Sequence, residues 1–208
     1  MKDKPSLLII GNSNVGKSSI TRLLLPNPKK FKGKIGKTPG STLLINKIFQ
    51  PTMHYQIVDL PGFGYMKHRS QRREEHIKKQ IVIHLEKYHQ EYFLALIIIN
   101  ILRIEDEILK YFIQKKHTIP LTFELIKFLK ELEIPLLIII NKIDKLSKFD
   151  TKRIISLFLK TSNDFGLNII NLDDFSNQNQ AQIPYLEFSA LKKTNLDKLK
   201  KIIKRYNH

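Results

Sequence analysis

Residues 11–18 read Gly11-Asn12-Ser13-Asn14-Val15-Gly16-Lys17-Ser18 and follow directly on the largely apolar segment Ser6–Ile10. They fit the phosphate-loop pattern G-x-x-x-x-G-K-[S/T], in which backbone N–H groups surround phosphates and the lysine reaches the β and γ oxygens. The apolar segment predicts a buried strand, and Lys17–Leu25 predicts a helix that ends before Pro26. A strand, a loop and the N-terminus of a helix together predict a site for a nucleoside triphosphate.

Four further segments follow in one order along the chain and complete the description of a pocket. They are Thr42, Asp59-Leu60-Pro61-Gly62, Asn141-Lys142-Ile143-Asp144 and Ser189-Ala190. Thr42 lies just before a predicted strand, and the other three segments lie just after one. Because ligands of parallel sheets bind at the carboxyl ends of the strands, these segments should meet at one edge. Their order predicts a pocket that holds a triphosphate with Mg²⁺ at one end and guanine at the other.

The phosphate end of this pocket has candidate residues for binding the phosphates and for binding Mg²⁺. Lys17 supplies a positive charge to the β and γ phosphates, Ser18 offers its hydroxyl to Mg²⁺, and Ser19 is placed to hold the α phosphate. Asp59 should bind Mg²⁺ through water. Gly62 can bring its amide close to the γ phosphate because it lacks a side chain. The residues predicted to act in hydrolysis are Lys17, Thr42 and Gly62. The residues predicted to bind the metal are Ser18, Thr42 and, through water, Asp59.

Three positions at this end leave alternatives open. Thr42 is the preferred second protein ligand of Mg²⁺ because it directly precedes a strand, and Thr38, a turn residue before Pro39, is the alternative. The Asn14 amide oxygen could help to coordinate K⁺ beside the phosphates, or the side chain could simply stabilise the loop. Phe63 stands where signalling GTPases carry a glutamine that orients the attacking water, so intrinsic hydrolysis should be slow.

The guanine end depends on hydrogen bonds that adenine cannot make. The Asp144 carboxylate can accept hydrogen bonds from N1–H and the 2-amino group of guanine, whereas adenine would leave this acceptor unpaired. Lys142 can lie over the ring, and the Ala190 amide can donate to the guanine carbonyl. The full set of residues predicted to contact the nucleotide is Gly11, Asn12, Ser13, Asn14, Val15, Gly16, Lys17, Ser18, Ser19, Gly40, Ser41, Thr42, Asp59, Leu60, Pro61, Gly62, Asn141, Lys142, Asp144, Ser189 and Ala190.

Apolar periodicity predicts strands that alternate with helices along the chain. The predicted strands are Ser6–Ile10, Leu43–Phe49, Tyr55–Asp59, Phe93–Ile99, Pro135–Asn141 and Tyr185–Ser189. The predicted helices are Lys17–Leu25, Gln71–Gln90, Ile104–Lys116, Leu121–Glu131, Asp150–Lys160 and a closing helix around residues 196–206, while Ser176–Gln182 predicts an exposed loop. This alternation predicts a three-layer α/β fold with a mostly parallel central sheet flanked by helices. Together with the five motifs, it predicts the fold of a P-loop GTPase, or G domain. The length predicts one domain over residues 1–208.

The chain of 208 residues has a net charge of +17 and no cysteine. Its basic residues gather in 29–37, 67–73 and 192–205, and a field of this sign favours polyanions, with nucleic acid the natural candidate. Surface lysines that reflect coding bias, or an acidic membrane surface, are the alternatives. The lack of cysteine suits a reducing cytoplasm, and no apolar run has the length of a membrane span. We expect a cytoplasmic monomer.

These motifs resemble those of the EngB (YihA-type) family of ribosome-assembly GTPases, within the translation-factor-related class, over almost the whole length. The resemblance rests on residues 11–19, Lys37-Thr38-Pro39-Gly40-Ser41-Thr42, Asp59-Leu60-Pro61-Gly62-Phe63-Gly64-Tyr65 and Phe188-Ser189-Ala190-Leu191-Lys192-Lys193. It implies Mg²⁺-dependent GTP binding, slow GTP hydrolysis and a role in maturation of the large ribosomal subunit. For some bacterial members it also implies a need in cell division and septation. By position, the resemblance assigns Mg²⁺ to Ser18 and Thr42.

The chain departs from the bacterial pattern of this family at three places. Asn141 stands where bacterial members usually have threonine, and Asn100–Arg103 fits their Asp-x-Arg segment poorly. Leu102–Leu121 looks like an insertion and is more similar to archaeal members. The departures concern the partner and the division role rather than the nucleotide site.

Three functions compete at this stage. In the one that the sequence favours, GTP orders the basic segments Lys29–Thr42 and Leu60–Ser70, which then grip ribosomal RNA or a ribosomal subunit precursor until hydrolysis. The second is a non-catalytic RNA-binding module whose GTP or GDP is structural, which Phe63 weakly supports. The third is a regulatory GTPase that acts on a protein or membrane partner, for example in cell division.

Overall fold

The computed structural model describes residues 4–30, 45–62, 71–110, 119–176 and 181–207. Strands in these residues form one seven-stranded sheet: β1 (Ser6–Ile10), β2 (Asn46–Ile48), β3 (Gln56–Asp59), β4 (Tyr92–Asn100), β5 (Leu136–Asn141), β6 (Asn168–Asn171) and β7 (Gln182–Phe188). The order across the sheet is β2-β3-β1-β4-β5-β7-β6. β2 pairs antiparallel with β3, and the other pairings are parallel. The predicted, mostly parallel sheet is confirmed.

Helices cover both faces of this sheet. They are α1 (Lys17–Leu24), α2 (Gln71–Tyr88), α3 (Ile104–Ile108), α4 (Leu121–Glu131), α5 (Lys148–Asp164) and α6 (Leu196–Tyr206). Successive side chains of a strand point to opposite faces. Leu8 and Ile10 of β1 therefore share an apolar layer with α2 to α5, whereas Leu7 and Ile9 share the other layer with α1 and α6. This is the predicted three-layer architecture.

The centre of the sheet is formed by β4 and β5, whose isoleucine-rich sequences are buried on both faces. Ile97–Ile99 pair in parallel with Ile138–Ile140, and β-branched side chains suit strands of this kind. The register ends with Asn100 opposite Asn141, and Asn141 opposite Phe188 of β7. The strands therefore end level with one another, and the loops that carry the sequence motifs leave from one edge.

Several predicted boundaries are wrong. α5 begins earlier than the predicted Asp150, because the Ser147 hydroxyl accepts the Asp150 amide at 3.0 Å and caps the helix from Lys148. β7 begins at Gln182, within the stretch predicted as a loop. Periodicity does not predict β6, because two isoleucines between two asparagines are too short a run for alternation to show.

Two predicted elements extend beyond the described residues. The helix predicted for Ile104–Lys116 is described as α3 only to Ile108, and residues 111–118 lie outside the described part. Likewise, β2 covers the end of the predicted strand Leu43–Phe49, of which residues 43 and 44 lie outside it. Among the helices that the structure describes, none is both long enough and apolar enough to cross a bilayer.

A histidine packed under the surface links α2 to the start of β4. His84 Nε2 and the Tyr92 hydroxyl oxygen are 2.8 Å apart, and the ring centroids of His84 and Tyr88 are 4.8 Å apart. Burial, together with the positive charges of Lys47 and Lys87, lowers the pKa of His84 to about 4. The imidazole is therefore neutral at neutral pH.

We expect the free energy of unfolding of the nucleotide-free protein to fall more steeply between pH 6.5 and pH 4 in the wild type than in His84→Phe. The unfolded histidine takes up its proton near pH 6.5, whereas the folded one resists until about pH 4. Stability is therefore lost as the pH falls through this window, by on the order of 2 kcal/mol. Urea titrations at several pH values measure the difference between the two proteins, which removes the contribution of other groups. If the free energies of unfolding of the two proteins changed in parallel with pH, the lowered pKa of His84 would be contradicted.

Candidate functional site

The phosphate loop joins β1 to α1, and its lysine is held over the loop's own backbone. Lys17 Nζ donates to the carbonyl oxygens of Gly11 and Asn12, both at 2.9 Å. Gly16 ends the loop in the left-handed region with φ 106°, and a Cβ there would lie 2.3 Å from Asn141 Nδ2. Only glycine fits this position without displacing a neighbour. The first amides of α1, which have no partner within the helix, follow immediately.

A cavity of about 380 Å³ opens over the start of α1. Its lining residues are Asn14, Gly16, Lys17, Ser18, Ser19 and Lys142. All six belong to the set predicted to contact the nucleotide. Two ammonium groups and the N-terminal end of a helix give the cavity a positive field, which suits a chain of phosphates.

Asp59 lies at the end of β3, close enough to Lys17 for their charges to interact. It is 7% exposed, and its Oδ1 has no hydrogen-bond partner among the described residues. Burial raises the pKa of Asp59 to about 6, against the opposing effect of the Lys17 charge, and burial also lowers the pKa of Lys17. A buried carboxylate oxygen without a donor is costly. The Asp59 carboxylate and the hydroxyl of Ser18, the residue after Lys17, are oxygen ligands of the kind that Mg²⁺ prefers, so they fit the predicted metal.

Gly62 brings the loop after β3 against the phosphate loop. A Cβ on Gly62 would lie 2.8 Å from both the backbone nitrogen and the hydroxyl oxygen of Ser13. Leu60, which is buried, fixes the approach because its amide donates to the Ile9 carbonyl at 3.1 Å. The backbone at Gly62 thus lies beside the loop in which a phosphate would sit, as its predicted role requires.

The side chain of Asn141 connects the two ends of the site. Asn141 ends β5 and is 1% exposed; its Nδ2 donates to the Val15 carbonyl at 2.8 Å, and its Oδ1 accepts from the Ala190 amide at 3.1 Å. Lys142 has left-handed backbone with φ 71°, and its Nζ donates to the Asn14 carbonyl at 2.8 Å. Two residues of the base-reading segment are therefore bonded to the backbone of the phosphate loop.

Asp144 is oriented by the loop after β7. The buried Ser189 hydroxyl donates to Asp144 Oδ1 at 2.6 Å and accepts the Lys192 amide at 3.0 Å. Lys145 Nζ lies 3.9 Å from the other carboxylate oxygen, and the Asp144 side chain is 8% exposed. The carboxylate on which guanine selection depends is thus held by a donor that is itself fixed.

The described members of the predicted set meet at one edge of the sheet. Gly11–Ser19 occupy the phosphate loop and the first turn of α1, Asp59 ends β3 and 60–62 follow it. Asn141 ends β5 and 142–144 follow it, and Ser189 and Ala190 follow β7. The remaining members, Gly40, Ser41 and Thr42, together with Thr38 and Phe63, lie outside the described residues.

Sequence reasoning missed the bonds that these residues make with one another. In the structure the Ala190 amide donates to Asn141, so its bond to a guanine carbonyl stays a prediction. The bond between Ser189 and Asp144 likewise joins residues that are 45 positions apart. Hydrogen bonds between loops that are distant in the chain leave no local pattern from which they could be found.

Comparison with known proteins places these features in one family. A family model described as 50S ribosome-binding GTPase matches residues 6–142. A "Probable GTP-binding protein EngB" of Methanococcus aeolicus is 37% identical over 150 residues, which are 72% of this chain and 63% of that protein. A protein of the same name from Pyrococcus horikoshii is 32% identical over 180 residues, 80% of each chain. One from Mycoplasma capricolum is 30% identical over 98% of this chain and 87% of its own.

The solved structures give the same result for the fold. The crystal structure of a probable GTP-binding protein EngB matches with a TM-score of 0.72 and 25% identity, covering 97% of this chain and 98% of that one. Translation elongation factor SelB from Methanococcus maripaludis matches with a TM-score of 0.55 and 18% identity, which shows a shared fold only. The matched residues span 63% of the Methanococcus aeolicus protein and 59% of a "Probable GTP-binding protein EngB" of Methanococcus maripaludis, in both cases less than two thirds of the relative's length.

We expect Asp59→Asn to stabilise the nucleotide-free and metal-free protein at pH 7.5 by about 2 kcal/mol, because it removes a charge that burial disfavours. Folded Asp59 keeps its proton up to about pH 6, whereas the unfolded aspartate loses it near 3.8. The wild type should therefore lose stability as the pH rises through this window, and the variant should not. Urea unfolding at pH 5 and pH 7.5 measures both effects. If Asp59→Asn proved less stable than wild type at pH 7.5, the carboxylate would be paired in a way the structure does not show.

We expect Asn141→Ala to lower the free energy of unfolding by about 3 kcal/mol, since it leaves the Val15 carbonyl and the Ala190 amide without their partner. Affinity for a fluorescent GDP analogue should also fall. Asn168→Ala, at an exposed position of β6, is the matched control and should change neither quantity. Thermal unfolding and fluorescence titration measure the two effects. Equal behaviour of the two variants would show that the bridge is unimportant.

Proposed function

The chain belongs to the EngB family of 50S ribosome-binding P-loop GTPases, and on that basis we propose that it binds GTP and GDP and hydrolyses GTP as a switch in assembly of the large ribosomal subunit. The observation that carries the proposal is the connected set of bonds from Asp144 through Ser189, Ala190 and Asn141 to the phosphate loop. It holds a guanine-reading carboxylate at a fixed place relative to a phosphate-binding cavity. We further propose that the protein acts as a monomer with one G domain over residues 1–208.

At the phosphate end, Lys17 is the group that gains most from a ligand. Its Nζ donates hydrogen bonds to two backbone carbonyls, and burial lowers the pKa of Lys17. Phosphate oxygens carry negative charge and would therefore be stronger acceptors for this ammonium group. Ser18 and Asp59 would hold Mg²⁺, Asp59 through water, with Thr42 as the further ligand that sequence position suggests. When bound, this ion draws electron density from the phosphate oxygens.

At the guanine end, the Ser189 hydroxyl occupies one lone pair of Asp144 Oδ1 and orients the carboxylate. The carboxylate can then accept from N1–H and the 2-amino group of guanine, and adenine would leave it unpaired in a low-exposure site. Lys142 bridges to Asn14 and can cover the ring with its methylene chain. The segment that would select the base is thus hydrogen-bonded to the loop that would bind the phosphates.

Hydrolysis should be slow without a partner. Gly62 lies against Ser13 and can present its amide to the γ phosphate. The next residue, Phe63, has no group that could orient water. Another group must then position the water. The Asn14 amide oxygen would help to hold K⁺, and such an ion would supply positive charge beside the phosphates.

The partner side of the proposal rests on charge. A net charge of +17 favours binding to RNA through release of counterions. The family's description as ribosome-binding agrees with ribosomal RNA or a subunit precursor as partner. Such a partner would place the protein in the cytoplasm, for which a sequence without cysteine is suitable.

Calorimetric titration with GTP, GDP and ATP tests the nucleotide site. Wild type should bind GTP at least about 100-fold more tightly than ATP. Asp144→Asn should lose that preference and gain affinity for xanthosine triphosphate, whose C2 carbonyl can accept from the new amide. Asp164→Asn, at an exposed position near the end of α5, is the matched control and should behave as wild type. Equal affinity for ATP and GTP in the wild type would exclude the proposal.

The same proteins test the switch. Phosphate release from GTP should be measurable and slow for wild type and Asp164→Asn, and absent for Lys17→Ala. Wild type with a non-hydrolysable GTP analogue should sediment with large ribosomal subunits more than wild type with GDP. Sedimentation that is identical with both nucleotides would reject the switch, and binding to protein or membrane fractions alone would favour the regulatory alternative.

A further inference from the structure

A second cavity lies at the edge of the sheet opposite the nucleotide site. Its volume is about 650 Å³, whereas the cavity over α1 has about 380 Å³. It is lined by Leu136 and Gln182, the first residues of the neighbouring strands β5 and β7, and by Tyr206, the last residue of α6. Because Asn141 ends β5, the length of that strand, roughly 17 Å, separates the two cavities. No residue that the structure describes lines both of them.

Most of the side chains that line this second cavity are apolar or aromatic. Two are aromatic rings, Phe175 between β6 and β7 and Tyr206 at the end of α6, and both are partly buried. Ile134 and Ile183 also line the cavity and belong to the buried core. A volume of this size with such walls is typical of a small-molecule site. Rings and aliphatic surface together favour a flat ligand, such as a heterocyclic base.

Gln182 supplies the cavity with a polar group that lacks a partner. Its Oε1 is buried, and none of the described residues donates a hydrogen bond to it. A buried acceptor without a donor costs free energy. The residue as a whole is only partly buried, and the last torsion angle of a glutamine is broad, so the amide can turn towards a ligand. A ligand that fits should therefore bring an N–H donor, with an acceptor beside it for the amide nitrogen.

Adenine carries this pair of groups on one edge. Its N6 amino group donates and its N7 accepts, and a glutamine amide can bond both at once. The same edge of guanine presents N7 and O6, which are both acceptors, so guanine would leave Gln182 Oε1 unpaired. The site at Asp144 discriminates in the opposite sense, because its carboxylate needs the N–H groups of guanine.

The rim of the cavity suits a phosphate group. Lys130, in the last turn of α4, lines the cavity, is exposed, and forms no ion pair within the described part of the chain. Burial raises the pKa of the Tyr206 hydroxyl, and Arg205 lies close enough for its charge to oppose that effect. Glu133, the one carboxylate among the described lining residues, is exposed. Two cations and one carboxylate favour a ligand with negative charge.

We propose that this second cavity binds a free adenine mononucleotide, with the Gln182 amide paired to the base and Lys130 beside the phosphate. Phe175 and Tyr206 contact the ring of the base. This site is separate from the one that binds GTP, so the inference goes beyond the proposed function and does not depend on it. The chain thus has two nucleotide sites with opposite preferences for the purine.

The test uses the chain of 208 residues saturated with Mg²⁺ and GDP, so that the cavity over α1 is occupied. Adenosine monophosphate (AMP), GMP, adenosine and ribose 5-phosphate are titrated in turn. Calorimetry measures their affinities, and NMR spectra of the isoleucine methyl groups show where they bind. Ile134 and Ile183 report on the second cavity, whereas Ile20 of α1 reports on the first.

Two pairs of variants separate the base from the phosphate. Gln182→Leu removes the amide at similar volume, and Gln90→Leu, at an exposed position between α2 and β4, is its matched control. Gln182→Ala replaces Gln182→Leu if that variant does not fold. Lys130→Gln removes the rim charge, and Lys152→Gln, exposed on α5, is its matched control. Affinity for a fluorescent GDP analogue and the thermal midpoint should be unchanged in all of them, which shows that the fold and the GTP site are intact.

We expect AMP to shift the signals of Ile134 and Ile183 and to leave that of Ile20 unchanged. GMP should bind about 10-fold more weakly than AMP, and Gln182→Leu should weaken AMP binding by about the same factor, as expected for a lost bidentate base contact. Lys130→Gln should weaken AMP binding about 3-fold and leave adenosine unaffected. Ribose 5-phosphate should not bind, and both control variants should behave as wild type.

Several results would overturn the inference. No shift of Ile134 or Ile183 at 10 mM AMP would exclude this ligand from the cavity. Equal affinity for GMP and AMP, or an unchanged affinity for AMP in Gln182→Leu, would exclude Gln182 as the group that reads the base. Tighter binding of the oligonucleotide UUAUU than of AMP would make RNA, and not a free nucleotide, the source of the adenine.

These failures leave the proposed function standing, because GDP fills the GTP site throughout. A shift of Ile20 in place of Ile134 and Ile183 would be different. It would mean that AMP displaces GDP over α1, which would contradict both this inference and the guanine selection assigned to Asp144.

Discussion

Asn141 is buried between two loops that would otherwise be independent, and it offers one hydrogen bond to each. Its amide nitrogen holds the Val15 carbonyl of the phosphate loop, and its amide oxygen receives the Ala190 amide from the loop after β7. A threonine at this position could not span both partners with a planar donor–acceptor pair. Together with Lys142, whose Nζ also donates to the phosphate loop, this side chain fixes the groups that could touch a base relative to those that could touch a phosphate.

The close contact between Asn141 and Gly16 also constrains the sequence of the phosphate loop. A methyl group at Gly16 would occupy the space of the Asn141 amide. Glycine in the phosphate loop is therefore required here both by its left-handed backbone and by packing against the end of β5. The phosphate-loop pattern and the base-reading pattern are two parts of one packed arrangement.

The sequence predicted the fold class and the edge of the sheet at which the motifs meet, because both follow from short local signals. An apolar run before Gly11 predicts β1, and the unbroken runs at Ile97–Ile99 and Ile138–Ile140 predict central parallel strands. β6 was beyond this reasoning, since Ile169 and Ile170 join the sheet through pairing with β7 rather than through any pattern of their own. The bond from Ser189 to Asp144 was equally out of reach, because only folding brings the two residues together.

The electrostatics of the site favour the protein with a charged ligand bound over the unliganded protein. Burial works against both Lys17 and Asp59, lowering the pKa of the first and raising that of the second. Each charge is partly supported by the other, yet Asp59 Oδ1 finds no donor in the described part of the chain. Burying these two charges costs free energy in the unliganded protein, and a charged ligand that pairs with them would offset that cost. A polar site arranged in advance in this way can bind its ligand strongly.

The edge strands of the sheet affect how readily the folded protein could aggregate. β4 and β5 contain consecutive isoleucines of the kind that assemble into fibrils when exposed, but both lie in the middle of the sheet. The outermost strands, β2 and β6, have three and four residues, and β2 carries Lys47 at its centre. Short, polar borders offer little template for a neighbouring molecule. For these two strands, the danger of aggregation is therefore greatest before they are covered, during synthesis and folding.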